Sequence, residues 1–190
     1  MAKSLEQMTL EELWQLFPIA LVPHNPSWEA WYQQQKCNLL ALLPGSHCYR
    51  ISHIGSTAIP DIWAKNIVDI LLESDNLICL PELRDILCSQ GWLCMSQSET
   101  RISMNLGYTS EGFAQRVFHL HLREQGDNDE LYFRDYLWNH PETAKEYQAL
   151  KLRLWKEYEH DRDGYTLAKT DFICQYTTLA KQEFPNRYEK

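Results

Sequence analysis

Apolar positions recur three and four residues apart through residues 27–43, where Trp28, Trp31, Tyr32, Leu39, Leu42 and Leu43 share one face. That spacing predicts an amphipathic helix with Ser27 at its N-cap and Pro44-Gly45 closing it. A shorter helix is expected over residues 4–17: Thr9 and Glu12 form a capping box ahead of Leu13, Leu16 and Phe17, and Pro18 stops it. Ile19 to Val22 reads as a short extended segment closed by Pro23.

The period then changes to two. Residues 48–54 read as a strand, and the apolar run over residues 66–73 as a central one, with the turn-rich joint Gly55-Ser56-Thr57-Ala58-Ile59-Pro60 between them. A helix is expected over residues 77–90, Pro81 in its first turn and Gly91 past its end. Over residues 101–108, Ile102, Met104, Leu106 and Tyr108 alternate with Arg101, Ser103, Asn105 and Gly107. Over residues 117–123, Phe118, Leu120 and Leu122 oppose His119 and His121. The rest is helical in three stretches, residues 129–139, 142–158 and 163–181, punctuated by Pro141 and Gly164. Residues 184–190 are expected to fray. Strands followed by a helical final third predict an α+β domain with a mixed or antiparallel sheet. A doubly wound sheet is disfavoured, because no GxGxxG turn follows a strand. The expected division is an N-terminal helical extension (1–19), one domain (20–180) and a tail (181–190).

Composition narrows the function. The 190 residues are 44% hydrophobic and include seven Trp and ten Tyr, ample for a core. Eighteen Lys and Arg against 26 Asp and Glu leave a net charge of −8, so no grip on DNA or RNA is expected, although a local cationic cluster remains compatible with a small phosphorylated ligand. No run reaches the roughly 20 apolar residues of a membrane span, and the Glu-rich start does not resemble a secretory signal, which predicts a cytoplasmic protein. The six cysteines, Cys37, Cys48, Cys79, Cys88, Cys94 and Cys174, show no CxxC spacing and are expected as reduced, mostly buried thiols.

Alternation gathers the candidate chemistry. Side chains two apart on a strand share a face, so His119 and His121 project together, away from Phe118, Leu120 and Leu122. If residues 101–108 pair with that strand, Arg101, Ser103 and Asn105 line the same polar face. Asp69 interrupts the apolar run Ile67-Val68-Asp69-Ile70-Leu71-Leu72, and a buried carboxylate is costly unless paired or metal-bound. Asp69, His119 and His121 are therefore candidates for acid–base work or for holding a metal such as zinc. The same His alternation also fits the solvated face of an antiparallel sheet. Gly55-Ser56 is a turn whose backbone amides suit a phosphate, and Lys65, just before the central strand, is placed to neutralise one or to pair with Asp69.

At these residues the sequence resembles the GrpB family. The resemblance is carried by His53-Ile54-Gly55-Ser56-Thr57-Ala58-Ile59-Pro60, Ala64-Lys65, Val68-Asp69-Ile70, His119-Leu120-His121, Phe133-Arg134-Asp135-Tyr136-Leu137 and Ala168-Lys169-Thr170-Asp171-Phe172-Ile173. Val22-Pro23-His24-Asn25-Pro26-Ser27-Trp28 is similar to the opening of that family, and the likeness covers about residues 20–178. It implies a polymerase-beta-like nucleotidyltransferase core, in which Gly55 and Ser56 hold phosphate and Asp69 is the first of two carboxylates binding Mg²⁺ or Mn²⁺. The second acid would stand at Leu71, so the chain departs from the pattern there, as relatives often do; His119 and His121 lie near the superfamily's third acid. Arg134 and Lys169 fall in family motifs and are expected to bind an anionic ligand. The implied activity is binding a nucleoside triphosphate or other phosphorylated ligand, with nucleotidyl transfer to a small molecule or protein. The alternatives are an inactive ligand-binding module and an interaction domain, the last suggested by relatives fused to dephospho-coenzyme A kinase.

Overall fold

The computed structural model describes residues 3–45, 49–75 and 79–189, Glu6 by its backbone alone. Among them the strands are Leu21–Val22 (β1), Tyr49–Ile54 (β2), Ala64–Lys65 (β3), Val68–Ser74 (β4), Leu93–Gln97 (β5), Arg101–Thr109 (β6) and Gly112–Glu124 (β7). The helices are Leu10–Leu16 (α1), Ser27–Leu42 (α2), Leu80–Cys88 (α3), Asp129–Asn139 (α4), Pro141–Glu157 (α5), Arg162–Leu167 (α6) and Thr170–Glu183 (α7), with 3₁₀ turns at Leu5–Gln7 and Ser56–Ala58. One mixed sheet runs β2-β4-β7-β6-β5, and β1 pairs with β3 apart from it. β4 is antiparallel to β2 and parallel to β7, which is antiparallel to β6. This is the α+β arrangement the sequence pattern predicts.

Strand alternation divides the sheet into two chemically distinct faces. Val68, Ile70, Leu72, Met104, Phe118, Leu120 and Leu122 lie in one buried cluster with Trp28, Tyr32 and Leu39 of α2 and Leu83 and Leu87 of α3. Each such side chain contributes roughly 1.5–3 kcal/mol by leaving water. The opposite face carries Asp69, Leu71 and Glu73 of β4. Here Leu71 packs with Ile54 and Leu131, while Phe133, Leu137, Ala144 and Tyr147 from α4 and α5 bury Ile59 and Ile62 from the loop after β2.

Glu73 is almost fully buried and binds three partners. Its carboxylate accepts from Arg50 Nε at 2.5 Å and Nη2 at 2.6 Å, from the Gly126 amide at 3.1 Å and from Asn128 Nδ2 at 2.9 Å. These bonds tie β2, β4 and the turn before α4 together, with the charge balanced where water is excluded.

Several local expectations change. The Thr9–Glu12 capping box forms, but α1 starts only at Leu10, behind a 3₁₀ turn. Ser27 is the first residue of α2 rather than its cap, because Asn25 Oδ1 accepts from the Ser27 amide at 2.9 Å and Pro26 already has helical dihedrals. The last predicted helix divides at Ala168-Lys169. The tail is anchored rather than frayed: Tyr188 OH donates to Asp135, and Arg187 Nε lies 2.9 Å from the same carboxylate. Cys37, Cys79, Cys88, Cys94 and Cys174 are free but exposed, not buried as expected. Cys48 and Leu77, where a strand and a helix were expected to begin, lie outside the described residues. No helix among the described residues is long and apolar enough to cross a membrane.

Glu73→Ala leaves the Arg50 guanidinium and two further donors without their acceptor, so we expect a loss of about 3 kcal/mol. Thermal denaturation followed by circular dichroism should show a midpoint lowered by roughly 6–12 °C.

Candidate functional site

The parallel register of β4 on β7 sets Asp69 opposite His119 and Leu71 opposite His121. All three polar side chains leave the same sheet face. His119 Nδ1 lies 3.2 Å from Asp69 Oδ1, and His121 Nε2 lies 3.8 Å from the same oxygen. Although burial opposes ionisation, the two imidazoles hold the Asp69 carboxyl far below its usual range. His119 is shifted down by its burial, against the attraction of Asp69. The His121 Nδ1 atom is buried with no hydrogen-bond partner.

The Gly55-Ser56 turn comes up against Asp69 from β2. Gly55 has φ +69°, and a Cβ built there would lie 2.4 Å from Asp69 Oδ2, so only glycine fits the position. The bonds inside the 3₁₀ turn are donated by Ala58 and Ile59, which leaves the Ser56 and Thr57 amides at its open end. The turn is braced from behind by His53, whose Nδ1 lies 3.1 Å from Glu29 and whose Nε2 lies 3.0 Å from Thr57 Oγ1.

Gly55, Ser56, Asp69 and His121 line a cavity of about 560 Å³ roofed by α4, α5, α6 and α7. Four lysines reach the same cavity: Lys65 from β3, Lys151 from α5, Lys169 from the residue preceding α7, and Lys181 from α7, the last paired with Asp129. Burial, followed by repulsion from Arg162 and Lys169, pulls the Lys65 ammonium down to about 7. Burial pulls Lys169 down to about 8, with Asp69 opposing. Burial also lowers Lys151, as do Lys169 and Lys65. Lys151 Nζ donates to the Trp63 carbonyl and lies 4.8 Å from the Tyr147 ring centre. Lys169 Nζ lies 4.2 Å from the centre of the Tyr165 ring. The other acids of the wall are engaged: Asp129 with Lys181 at 2.5 Å and Glu130 with Arg123 at 3.6 Å.

Of the expected site residues, Gly55, Ser56, Lys65, Asp69, His121 and Lys169 meet at the cavity. His119 stands behind Asp69, and Asn105 is its cross-strand neighbour on β6, buried and away from the cavity wall. Arg101 is turned away, with Nε and Nη2 each 2.7 Å from Asp127. Arg134 is committed to the scaffold: Nη1 donates to the His53 carbonyl at 2.8 Å, Nε and Nη2 to Asp135, and the guanidinium covers Trp138. Sequence reasoning did not select Lys151, Tyr165, Tyr108 or Arg162. Tyr108 was placed on the apolar side of β6, but the register slips between Leu106 and Tyr108 at Gly107, where φ is +92°. The Tyr108 hydroxyl consequently reaches His119 Nε2 at 2.8 Å and accepts from Arg162 Nη2 at 3.0 Å. A glycine inside an alternating strand was the available signal for that bulge.

The donor set does not fit a pair of magnesium ions. Leu71, at the position of the second carboxylate, is wholly buried in hydrocarbon, and Glu73 is held by its own three partners. Magnesium bridging phosphate to protein relies on carboxylate oxygens, and Asp69 Oδ1 here already faces His119 and His121 while Asp129 and Glu130 pair with Lys181 and Arg123. No group of three His, Cys, Asp or Glu side chains among the described residues is placed to hold a metal ion, the Asp69, His119 and His121 set proposed for zinc included.

The family described as GrpB protein matches residues 18–178. The UPF0157 protein YqkA of Bacillus subtilis (strain 168) is 31% identical over 182 residues, and the match takes in 93% of this chain and 52% of YqkA, so the chain spans about half of that relative. The glutamate-rich protein GrpB of Alkalihalophilus pseudofirmus is 32% identical over 160 residues, 82% of this chain and 91% of that protein. Among solved structures, GrpB from Enterococcus faecalis superposes with a TM-score of 0.74 at 23% identity, over 87% of this chain and 99% of that one. The Cid1 poly(U) polymerase superposes with a TM-score of 0.50 at 9% identity, over 84% and 51% of the two chains, a likeness of fold alone.

Gly55→Ala should strain the turn and push Asp69 off His119, lowering stability by roughly 1–3 kcal/mol in chemical denaturation. Between pH about 7 and about 10 the unfolded chain holds more protons on Lys65 and Lys169 than the folded chain does, so the ligand-free protein gains stability as pH rises through that window. Lys65→Met removes part of the cationic repulsion and should raise the neutral-pH melting midpoint by about 2–4 °C while flattening its rise with pH.

Proposed function

The chain belongs to the GrpB family, and from that premise we propose that it binds a phosphorylated small molecule, a nucleotide first among them, in the cavity beneath the Gly55-Ser56 turn. The observation that carries this reading is the convergence of Lys65, Lys151 and Lys169 on a cavity whose acids, Asp69, Asp129 and Glu130, each pair with other basic side chains. Ammonium groups gathered away from water repel one another, and an anion that enters relieves both the repulsion and the lost hydration. Ser56 and the amides at the open end of its turn supply directional donors for phosphate oxygens. Phe133, Tyr147 and Tyr165 give the remainder of the wall an aromatic character suited to a flat ring. The cavity volume of about 560 Å³ falls within the usual range for a small-molecule site. The likeness of fold to a poly(U) polymerase makes nucleoside triphosphates the first ligands to test.

A second reading, nucleotidyl transfer, is favoured by the chain of contacts from Asp69 through His119 to Tyr108 and Arg162. In it, an acceptor hydroxyl oxygen bonds to the α-phosphorus as the bond to the bridging oxygen breaks. Pyrophosphate leaves into the lysine cluster, and the hydroxyl proton passes to His121, the imidazole that lines the cavity. Arg162 and Tyr108 hold His119, which in turn holds Asp69.

Thermal denaturation in the presence of ATP, UTP, GTP, CTP and inorganic triphosphate tests the binding reading. A ligand at a hundred times its dissociation constant should add about 2.7 kcal/mol, read as a raised midpoint. No shift with any phosphate-bearing ligand contradicts the reading. Phosphorus NMR of the stabilising nucleotide with candidate acceptors separates transfer from binding: pyrophosphate released by the wild type but not by Asp69→Asn marks an enzyme, and bound but unchanged nucleotide marks a binding module.

A further inference from the structure

We propose that the cavity takes its polyphosphate as the free anion, with Lys65, Lys151 and Lys169 occupying the role that divalent cations fill in proteins built around two carboxylates. This rests on the phosphate-binding reading above and goes on to specify the form in which the ligand enters.

The charge arrangement is the first ground. A site that receives a magnesium-complexed phosphate presents acidic oxygens to the metal. Here the second acidic position on β4 is Leu71, which is fully buried, and Glu73 beyond it is satisfied by Arg50, the Gly126 amide and Asn128. What faces the cavity instead is a set of ammonium groups from three separate elements, β3, α5 and the start of α7, while each acid of the wall is engaged elsewhere, Asp69 by His119 and His121, Asp129 by Lys181 and Glu130 by Arg123. A free polyphosphate carries more negative charge than its magnesium complex, so it complements this wall better. A bound cation would add to the positive charge already there.

The placement of the three amines is the second ground. No side-chain hydrogen bond or ion pair joins the ammonium of Lys65 or Lys169 to another described residue; each instead lies near the ring of Tyr165, at 5.9 Å and 4.2 Å. Lys151 is wholly buried, and one of its protons goes to the Trp63 carbonyl. Lysine amines gathered in one buried wall lower one another's protonation on top of the effect of burial, and an anion placed among them relieves that repulsion. Each ammonium offers rotatable donors, which suits successive phosphate groups along a flexible chain.

Asp69 then has a task other than coordinating a metal. Held by His119 and His121 and pressed against Gly55, it fixes the turn at one end of the lysine cluster and keeps the phosphate chain on the Lys65, Lys151 and Lys169 side.

Isothermal titration with inorganic tripolyphosphate, once in a chelator and once in excess magnesium, tests this. We expect binding in the chelator, with affinity weakened when magnesium sequesters the probe. Lys65→Met and Lys169→Met should each weaken binding in the chelator by roughly tenfold or more, the worth of one charge-assisted hydrogen bond, with near-wild-type circular dichroism. Lys169→Arg, which keeps the charge, should retain most of the affinity. Binding in magnesium but none in the chelator overturns the free-anion proposal and leaves the phosphate-site reading intact. Binding in the chelator that neither lysine variant weakens also overturns it. Absence of binding in both conditions overturns the phosphate-site reading itself. The metal comparison uses the wild-type chain, so a variant that fails to fold does not remove the test.

Discussion

Like charges held together away from water set the terms for the cavity. Lys65, Lys151 and Lys169 share a hollow in which no described carboxylate forms an ion pair with them, and part of the resulting energy is released in the ligand-free chain by loss of protons from the amines. A fold keeps such an arrangement only where the rest of the structure over-determines it. Two buried face clusters and the Glu73 clamp do so here, by fixing β2, β4 and the helices of the roof independently of the cavity. Stability and ligand binding are thereby assigned to different residues of the same strand: Val68, Ile70 and Leu72 to the core, Glu73 to the clamp and Asp69 to the cavity.

The parallel pairing of β4 with β7 gives the site its geometry. Antiparallel neighbours on either side, β2 and β6, deliver the Gly55-Ser56 turn to one end and Asn105 and Tyr108 to the other. This places a carboxylate and two imidazoles on one sheet face, with Leu71 between Asp69 and Glu73 buried in hydrocarbon. The fold is like that of the Cid1 poly(U) polymerase, and in this chain lysines from three elements line the cavity beside Asp69.

Much of this was legible in the sequence. Alternation in β6 and β7 put His119, His121, Ser103 and Asn105 on one face, and the register confirms it. Asp69 stood out as the single charge in a buried run, and the Gly55-Ser56 turn, Lys65 and Lys169 stood out through family motifs. The rest depended on long-range partners. Arg101 and Arg134 look alike as free cations in a sequence, yet Asp127 engages one and Asp135, the His53 carbonyl and Tyr188 engage the other. Lys151 sat within an apolar helix stripe, where its neighbours argued for core and nothing local showed that the stripe faces two other lysines. Tyr108 followed strict alternation until the bulge at Gly107 turned it towards His119. The tail reads as polar and terminal, but Tyr188 meets Asp135 and Arg50 from elements more than fifty residues away.

The most direct test is a crystal structure of the chain soaked in tungstate, a heavy phosphate mimic, with chelator present. The account predicts anomalous density inside the cavity, within hydrogen-bonding distance of the Nζ atoms of Lys65 and Lys169 and close to the Ser56 amide. Density confined to the protein surface, or a cavity left empty by the anion, would contradict it.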